Sequence, residues 1–192
     1  RDWSSDVCSS DLVLMTSTDA GLRLVATDGY RMAMRDLSGG ATGNIDQFLI
    51  PSRALSELQR LLDMADEVTV RFSDTDATFQ TPSMTLTTRL INAQYPPYIT
   101  IIPKDSTNLA VVNRDEILDA LRRTGVLASE TAPVRIRMSN EGARLTVTLP
   151  DGSTSVEDID AQFTGEEITI AFNADYLAGG VDACGTEEVT IA

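Results

Sequence analysis

Three times along this chain a short apolar run ends at Pro or Asn and gives way to a helical pattern. QFLIPSRALSELQRLL turns at Pro51, LAVVNRDEILDALRRTGVL at Asn113 and ITIAFNADYLAGGVDAC at Asn173. In each, the first strong apolar residue of the helix follows three or four places later. Proline suits the first helical turn because the amide it lacks would have no partner there, and asparagine caps a helix with its side-chain oxygen. The three switches lie roughly 60 residues apart, which reads as an internal repeat. Between them the sequence is written in strands. GLRLVAT (21–27) and YRMAMRDL (30–37) flank Asp28 and Gly29, a hairpin-turn signal. EVTVRFS (67–73) and ATFQTP (77–82) flank DTD, and MTLTTRLI (84–91) follows. PVRIRMS (133–139) and ARLTVTL (143–149) flank NEG; STSVEDIDAQF (153–163) reads as one long strand and EITIAF (167–172) as another. SGGATGNIDQ (38–47) is a Gly-rich loop, and residues 91–108, with prolines at 96, 97 and 103, read as an extended connector. The repeating unit is a strand and helix followed by three or four antiparallel strands, so the expected fold class is α+β. The third copy stops after EEVTIA, which leaves an expected open sheet edge.

Composition removes several kinds of function. The formal charge is −14, with a pI near 4.2. An acidic chain of this kind does not hold nucleic acid through its whole surface. A local basic patch is still compatible with it, since fields act within a Debye length of about 8 Å. Arg53 and Arg60 stand two turns apart on one face of the first helix, and Arg114, Arg122 and Arg123 lie on the second among Asp115, Glu116 and Asp119. Arg122 and Arg123 are adjacent and diverge by about 100° on a helix. The chain contains no histidine, so the commonest general base and metal ligand are missing. Asp74 and Asp76 in SDTDAT read as a polar turn rather than a metal site. In a single strand Asp158 and Asp160 would share a solvated face, with Glu157 on the other. Cys184, without histidine partners, is expected to be a small buried residue. An acid–base enzyme would need two convergent carboxylates, and the acids here are scattered over strands and loops. Neither a cofactor nor a metal is implied. Mean hydropathy is −0.06 with no long apolar run, so no membrane span is expected. No secretory pattern is present, and a cytoplasmic location is the default expectation.

Four stretches carry a resemblance. LVATDGYRMAM, IPSRALSELQRLL, TRLINAQYPPYITIIP and IAFNADYL, in that order, are similar to the bacterial sliding clamp, the beta subunit of DNA polymerase III. The resemblance runs over about residues 13–192. It implies a non-catalytic replication protein whose full chain has three similar domains, each made of two strand–helix–strands units. Two such chains close head-to-tail into a homodimer ring around duplex DNA, with helices lining the hole and sheets outside. Residues 13–107 then correspond to most of the middle domain with its linker, and residues 108–192 to most of the third domain. The implied partners are duplex DNA, gripped without sequence preference, and polymerase, clamp-loader and repair proteins. The protein partners dock through a short linear peptide. The implied location is the bacterial cytoplasm, at the nucleoid. A β-rich interaction module that never closes a ring is the alternative.

The resemblance also implies sites. The partner-peptide pocket falls on Thr27, Gly29, Tyr30, Arg31 and Met32, on Pro96 and Ile101, and on Asn173 and Tyr176. Apolar walls with few polar anchors suit an extended peptide that buries Leu and Phe side chains. Tyr30 stands where the family often has His. The DNA-facing candidates are Arg53, Arg60, Arg122 and Arg123, since a protein that slides should touch phosphates through long cations and avoid base readout.

The opening RDWSSDVCSSDL follows neither a helical nor a strand period and lacks the apolar core of a signal peptide. It reads as the translation of a common sequencing-library adapter joined to the coding frame, so Trp3 and Cys8 are expected to carry no function. Long-read sequencing of the source locus across the codons for residues 12 and 13 should show the frame continuing upstream without these twelve residues. A start codon followed by RDWSSDVCSSDL at the locus would disprove the adapter origin.

Overall fold

The structure is a computed structural model. It describes residues 11–192 apart from 20, 39–46, 63, 64, 66, 104, 130 and 131. Most of the adapter-like segment and of the Gly-rich loop therefore lies outside the described residues. The chain divides into two compact units, Arg1–Ile99 and Thr100–Ala192. The fold is α+β, with three α-helices and antiparallel sheets among the described residues.

In the first unit, β1 (Leu12–Thr18), β2 (Gly21–Thr27), β3 (Met32–Ser38) and β4 (Phe48–Pro51) form one sheet in the order β3-β2-β1-β4. Helix α1 (Ser52–Leu62) follows, then β5 (Thr69–Phe72), β6 (Asp76–Gln80) and β7 (Thr85–Arg89) form a second sheet in sequence order. Ile50, Leu58, Met15, Ala77 and Phe79 are buried together between these elements. The Phe48 and Phe72 rings stack with centroids 4.3 Å apart, tying β4 to β5. The helix starts one residue after the expected Pro51, which closes the strand instead.

The second unit repeats the plan. Strand β8 (Leu109–Asn113) leads into α2 (Arg114–Gly125), and β9 (Val134–Ser139), β10 (Gly142–Thr148), β11 (Thr154–Ile159) and β12 (Ala161–Thr164) follow. Then come β13 (Ile168–Phe172), α3 (Ala174–Ala183) and β14 (Glu188–Ile191). The sheets are β11-β10-β9-β13 and β12-β8-β14. The first has the same order as β3-β2-β1-β4, strand for strand, so the sheet recurs roughly 120 residues on, about twice the spacing of the helix switches. Its detail repeats too. β2 and β10 each begin with a glycine of positive φ, Gly21 and Gly142. A Cβ on Gly142 would meet the carbonyl of Ile159 at 2.8 Å, so no other residue fits that strand start. Two residues on, Arg23 and Arg144 each reach a carboxylate on the next strand with two hydrogen bonds. Arg23 holds Asp36 at 2.7 and 2.8 Å, and Arg144 holds Asp158 at 2.6 and 3.0 Å.

Asn113 and Asn173 cap their helices as expected. The Asn113 side chain accepts from the Glu116 amide at 3.0 Å; that of Asn173 accepts from Asp175 and Tyr176 at 3.0 and 3.2 Å. The fully buried Ile117, Leu121, Val134, Ile136, Leu145 and Val147 form the centre of this unit's core. The hydroxyl of buried Thr124 donates to the Ala120 carbonyl at 2.8 Å, so it leaves no unsatisfied group inside.

Two expectations fail. Residues 153–163 are not one strand: β11 pairs with β10, and after Asp160 the chain crosses to pair with β8 as β12. Alternation tells which face is buried, not which neighbour supplies the hydrogen bonds, so the change of sheet left no trace in sequence. Asp158 and Asp160 consequently do not share a strand face. Cys184 is exposed, not buried, because it sits at the C-terminal cap of α3 where the helix leaves its packing surface.

Replacing Asn113 by Ala should lower stability by about 1 kcal/mol, read as a shift in the urea midpoint with unchanged slope. Asn113→Asp, which keeps a capping oxygen, should lose much less. A second expectation concerns pH. The carboxyls of Asp36, Asp158 and Glu167 are each held below the ordinary carboxylate range, first by hydrogen bonds from Arg23, Arg144 and Arg137. Groups whose pKa is lower folded than unfolded stabilise fully above the unfolded value and lose that contribution as pH falls through the folded one. The melting temperature should therefore be flat from neutral pH to about pH 5 and fall below about pH 4. The Asp158→Asn variant should show a shallower fall.

Candidate functional site

Thr27 and Met32 are the last paired residues of β2 and β3, and residues 28–31 bridge them. Asp28 organises this loop. Its Oδ1 accepts from the amides of Tyr30 at 3.0 Å and Arg31 at 2.9 Å, and its Oδ2 from the Arg31 guanidinium at 2.9 Å. These bonds, the Arg31 amide first, hold its carboxyl below the usual range. The Thr27 hydroxyl donates to the Arg31 carbonyl at 2.9 Å and accepts from the Gly29 amide at 3.2 Å. Gly29 has φ +85°, a conformation that strains any residue with a Cβ. The backbone is thus tied down while the Tyr30 ring is left 81% exposed. A fixed loop carrying an exposed aromatic can offer contact area at little ordering cost. From sequence, Asp28 was legible only as half of a turn signal; its three bonds make it the loop's anchor.

Pro96 is exposed, and its carbonyl accepts from the Tyr98 amide at 2.7 Å. Thr27, Gly29, Tyr30, Arg31, Met32 and Pro96 all belong to the first unit. Ile101, 68% exposed, and Asn173 and Tyr176 belong to the second. Asn173 places Tyr176 directly, since its capping oxygen binds the Tyr176 amide. The Tyr176 side chain is partly exposed on the first turn of α3.

The four candidate DNA-facing arginines differ. Arg53 and Arg60 both lie on the exposed side of α1, opposite buried Leu58. Arg60 pairs with Glu57 at 3.1 Å. Arg122 pairs with Asp119 at 2.9 Å one turn back on α2. Arg123 instead reaches Glu157 on β11 at 2.9 Å, in line with the divergence expected of adjacent helical residues. Three of the four cations thus already face a carboxylate, so the exposed helical faces are close to charge balance. Sequence reading missed Arg114 as a structural group. Its guanidinium holds both the carbonyl and, at 2.5 Å, the carboxylate of Asp182, locking α2 to α3. Asp76 accepts from the Thr75 hydroxyl at 2.6 Å, and Ser73 closes the turn around it.

Known proteins place this arrangement. The model for the DNA polymerase III beta subunit, central domain, matches residues 11–97, and that for the C-terminal domain matches residues 99–192. The beta sliding clamp of Synechococcus elongatus is 34% identical over 179 residues, covering 89% of this chain and 48% of that protein. The one from Pseudomonas aeruginosa is 29% identical over 180 residues, covering 92% of this chain and 49% of its own length. Among solved structures, the DNA polymerase III subunit beta of Pseudomonas aeruginosa superposes with a TM-score of 0.87 at 28% identity, over 97% of this chain and 52% of that one. The beta subunit of Thermotoga maritima gives 0.86 at 28% identity, over 95% and 50%. The chain spans about half the length of these relatives. Two successive domain models matched in order over nearly the whole chain mean that the chain belongs to the DNA polymerase III beta-subunit family of sliding clamps.

Proposed function

We propose that this chain is the middle and third-domain portion of a DNA sliding clamp, residues 13–107 and 108–192 respectively. In this reading the complete protein is non-catalytic. It closes as a head-to-tail homodimer around duplex DNA and tethers a replicative polymerase. Tethering raises the polymerase's effective concentration at the primer end without any new interaction with DNA bases. The observation that carries the reading is the consecutive match of both domain models over nearly the whole chain. The near balance of charge on the helical faces supports it, since a protein that slides needs weak, sequence-independent phosphate contacts. Arg53, Arg60, Arg122 and Arg123 supply those contacts, with Arg53 and Arg60 the stronger pair because they share one exposed face.

Polymerase, clamp-loader and repair proteins dock in this reading through a linear peptide. The first unit contributes Thr27, Gly29, Tyr30, Arg31, Met32 and Pro96; the second contributes Ile101, Asn173 and Tyr176. The rigid loop at residues 28–31 suits such a role. The protein works in the bacterial cytoplasm at the nucleoid.

The test uses the complete reading frame from the source locus, loaded onto nicked circular duplex DNA. The protein should stay on the circle and run off once the circle is cut. Equal retention on circular and linear DNA would mean that no ring is closed and would favour the interaction-module alternative. In the same assay, Arg53→Ala with Arg60→Ala should weaken DNA binding uniformly across sequences. The salt slope should drop by about 0.9 for each phosphate that is no longer neutralised.

A further inference from the structure

The two copies of the β-hairpin motif differ in one respect that topology does not require. Arg144 is 53% exposed in its clasp with Asp158, whereas Arg23 is 25% exposed in the matching clasp with Asp36. The connector brings a tyrosine to Arg23. Tyr98, itself buried, sets its hydroxyl against the Arg23 guanidinium. Tyr95 packs edge-on against Tyr98, with ring centroids 6.4 Å apart, and donates its hydroxyl to the Val25 carbonyl at 3.1 Å. Burial, with a contribution from Tyr98, raises the Tyr95 pKa. The Tyr98 amide holds the Pro96 carbonyl. Further back, the Ile91 amide bonds to Leu49 at 3.0 Å, so the connector is also held on β4. Asp36 completes the chain of contacts by joining β2 to β3, the two strands that the loop at residues 28–31 bridges.

We propose that Tyr95 and Tyr98 are positioning residues for peptide binding: they strap the connector onto β2 through Val25 and the Arg23–Asp36 clasp, and so set Pro96 relative to the loop at residues 28–31. The inference rests on the peptide-docking reading above. Neither tyrosine needs to touch the peptide. Each acts through a strand whose end carries Thr27, and the two together make connector and loop move as one piece. The second unit serves as an internal control, because its Arg144–Asp158 clasp has no tyrosine cover among the described residues.

The full chain would be compared with Tyr95→Phe, Tyr98→Phe and Asp158→Asn variants. The probe is a fluorescein-labelled extended pentapeptide ending in Leu-Phe, followed by anisotropy. Amide exchange of residues 27–32 and melting temperature are read in parallel. Each Tyr→Phe change removes one hydroxyl and keeps the ring, so it should weaken the probe about fivefold and speed exchange of the loop. Melting should shift by only a few degrees. Asp158→Asn should leave probe binding and loop exchange alone. Unchanged binding and unchanged loop exchange in both tyrosine variants would overturn the proposal, and so would an equal loss of binding in Asp158→Asn. If the unmodified chain does not bind the probe, the peptide-docking reading fails by itself. Loop exchange then decides: faster exchange in the tyrosine variants sustains the strap, and unchanged exchange removes it.

Discussion

A helix that begins directly at the end of a β-strand faces an immediate problem, because its first amides have no carbonyl to bind. Here the residue at the junction solves it. The side-chain oxygens of Asn113 and Asn173 take the first-turn amides while their backbones are still extended, with φ near −69° and −68°. One residue therefore ends a strand, starts a helix and sets the angle between them. Everything else in each unit is arranged around that junction. The helix must bury its apolar face, and α2 does so with Ile117, Leu118, Ala120 and Leu121, chiefly against β9, β10 and β11 of the neighbouring sheet in its own unit. Where proline stands at the junction the same turn is made without a capping side chain, and α1 begins at the next residue.

The second organising interaction is electrostatic. In a chain of charge −14, eight described arginines (Arg23, Arg31, Arg60, Arg114, Arg122, Arg123, Arg137 and Arg144) pair with a carboxylate. The forked pairs Arg23–Asp36, Arg144–Asp158 and Arg137–Glu167 run across strands and fix register through geometry as well as charge. Arg114 does the same between helices. On the helical faces Arg60, Arg122 and Arg123 are each paired with a carboxylate, which leaves a weak field there. In the proposed sliding role, such a field would let the protein stay on DNA without binding any part of it tightly.

The loop at residues 28–31 joins these two themes. Its backbone is held by one carboxylate, Asp28, in the way the helix ends are held by asparagine. Its flanking strands are held by one forked ion pair. The loop is thereby fixed by several hydrogen bonds in an exposed position. The tyrosines of the connector reach the same strand from outside the hairpin.

How much of this was legible in the sequence follows from range. Asn113 and Asn173 were readable as caps, the strands 21–27 and 134–139 were readable from alternation, and the repeat from its spacing, because each depends on neighbours within a few residues. Gly29 beside Asp28 announced a turn for the same reason. The identity of the family was legible through four motifs in order. The break at Asp160 was not, since alternation is blind to which strand supplies the partner. The exposure of Cys184 was not, because burial depends on what packs over a helix end. The pairing of Arg123 with Glu157, 34 residues away, and the docking of Tyr95 on Val25, 70 residues away, were out of reach of any local pattern. By itself the sequence determined most of the elements, their asparagine caps and the family, because these are written in short-range chemistry. Only the tertiary structure decided which strands pair, which arginines stay exposed and what braces the loop, because those contacts exist only once distant segments meet.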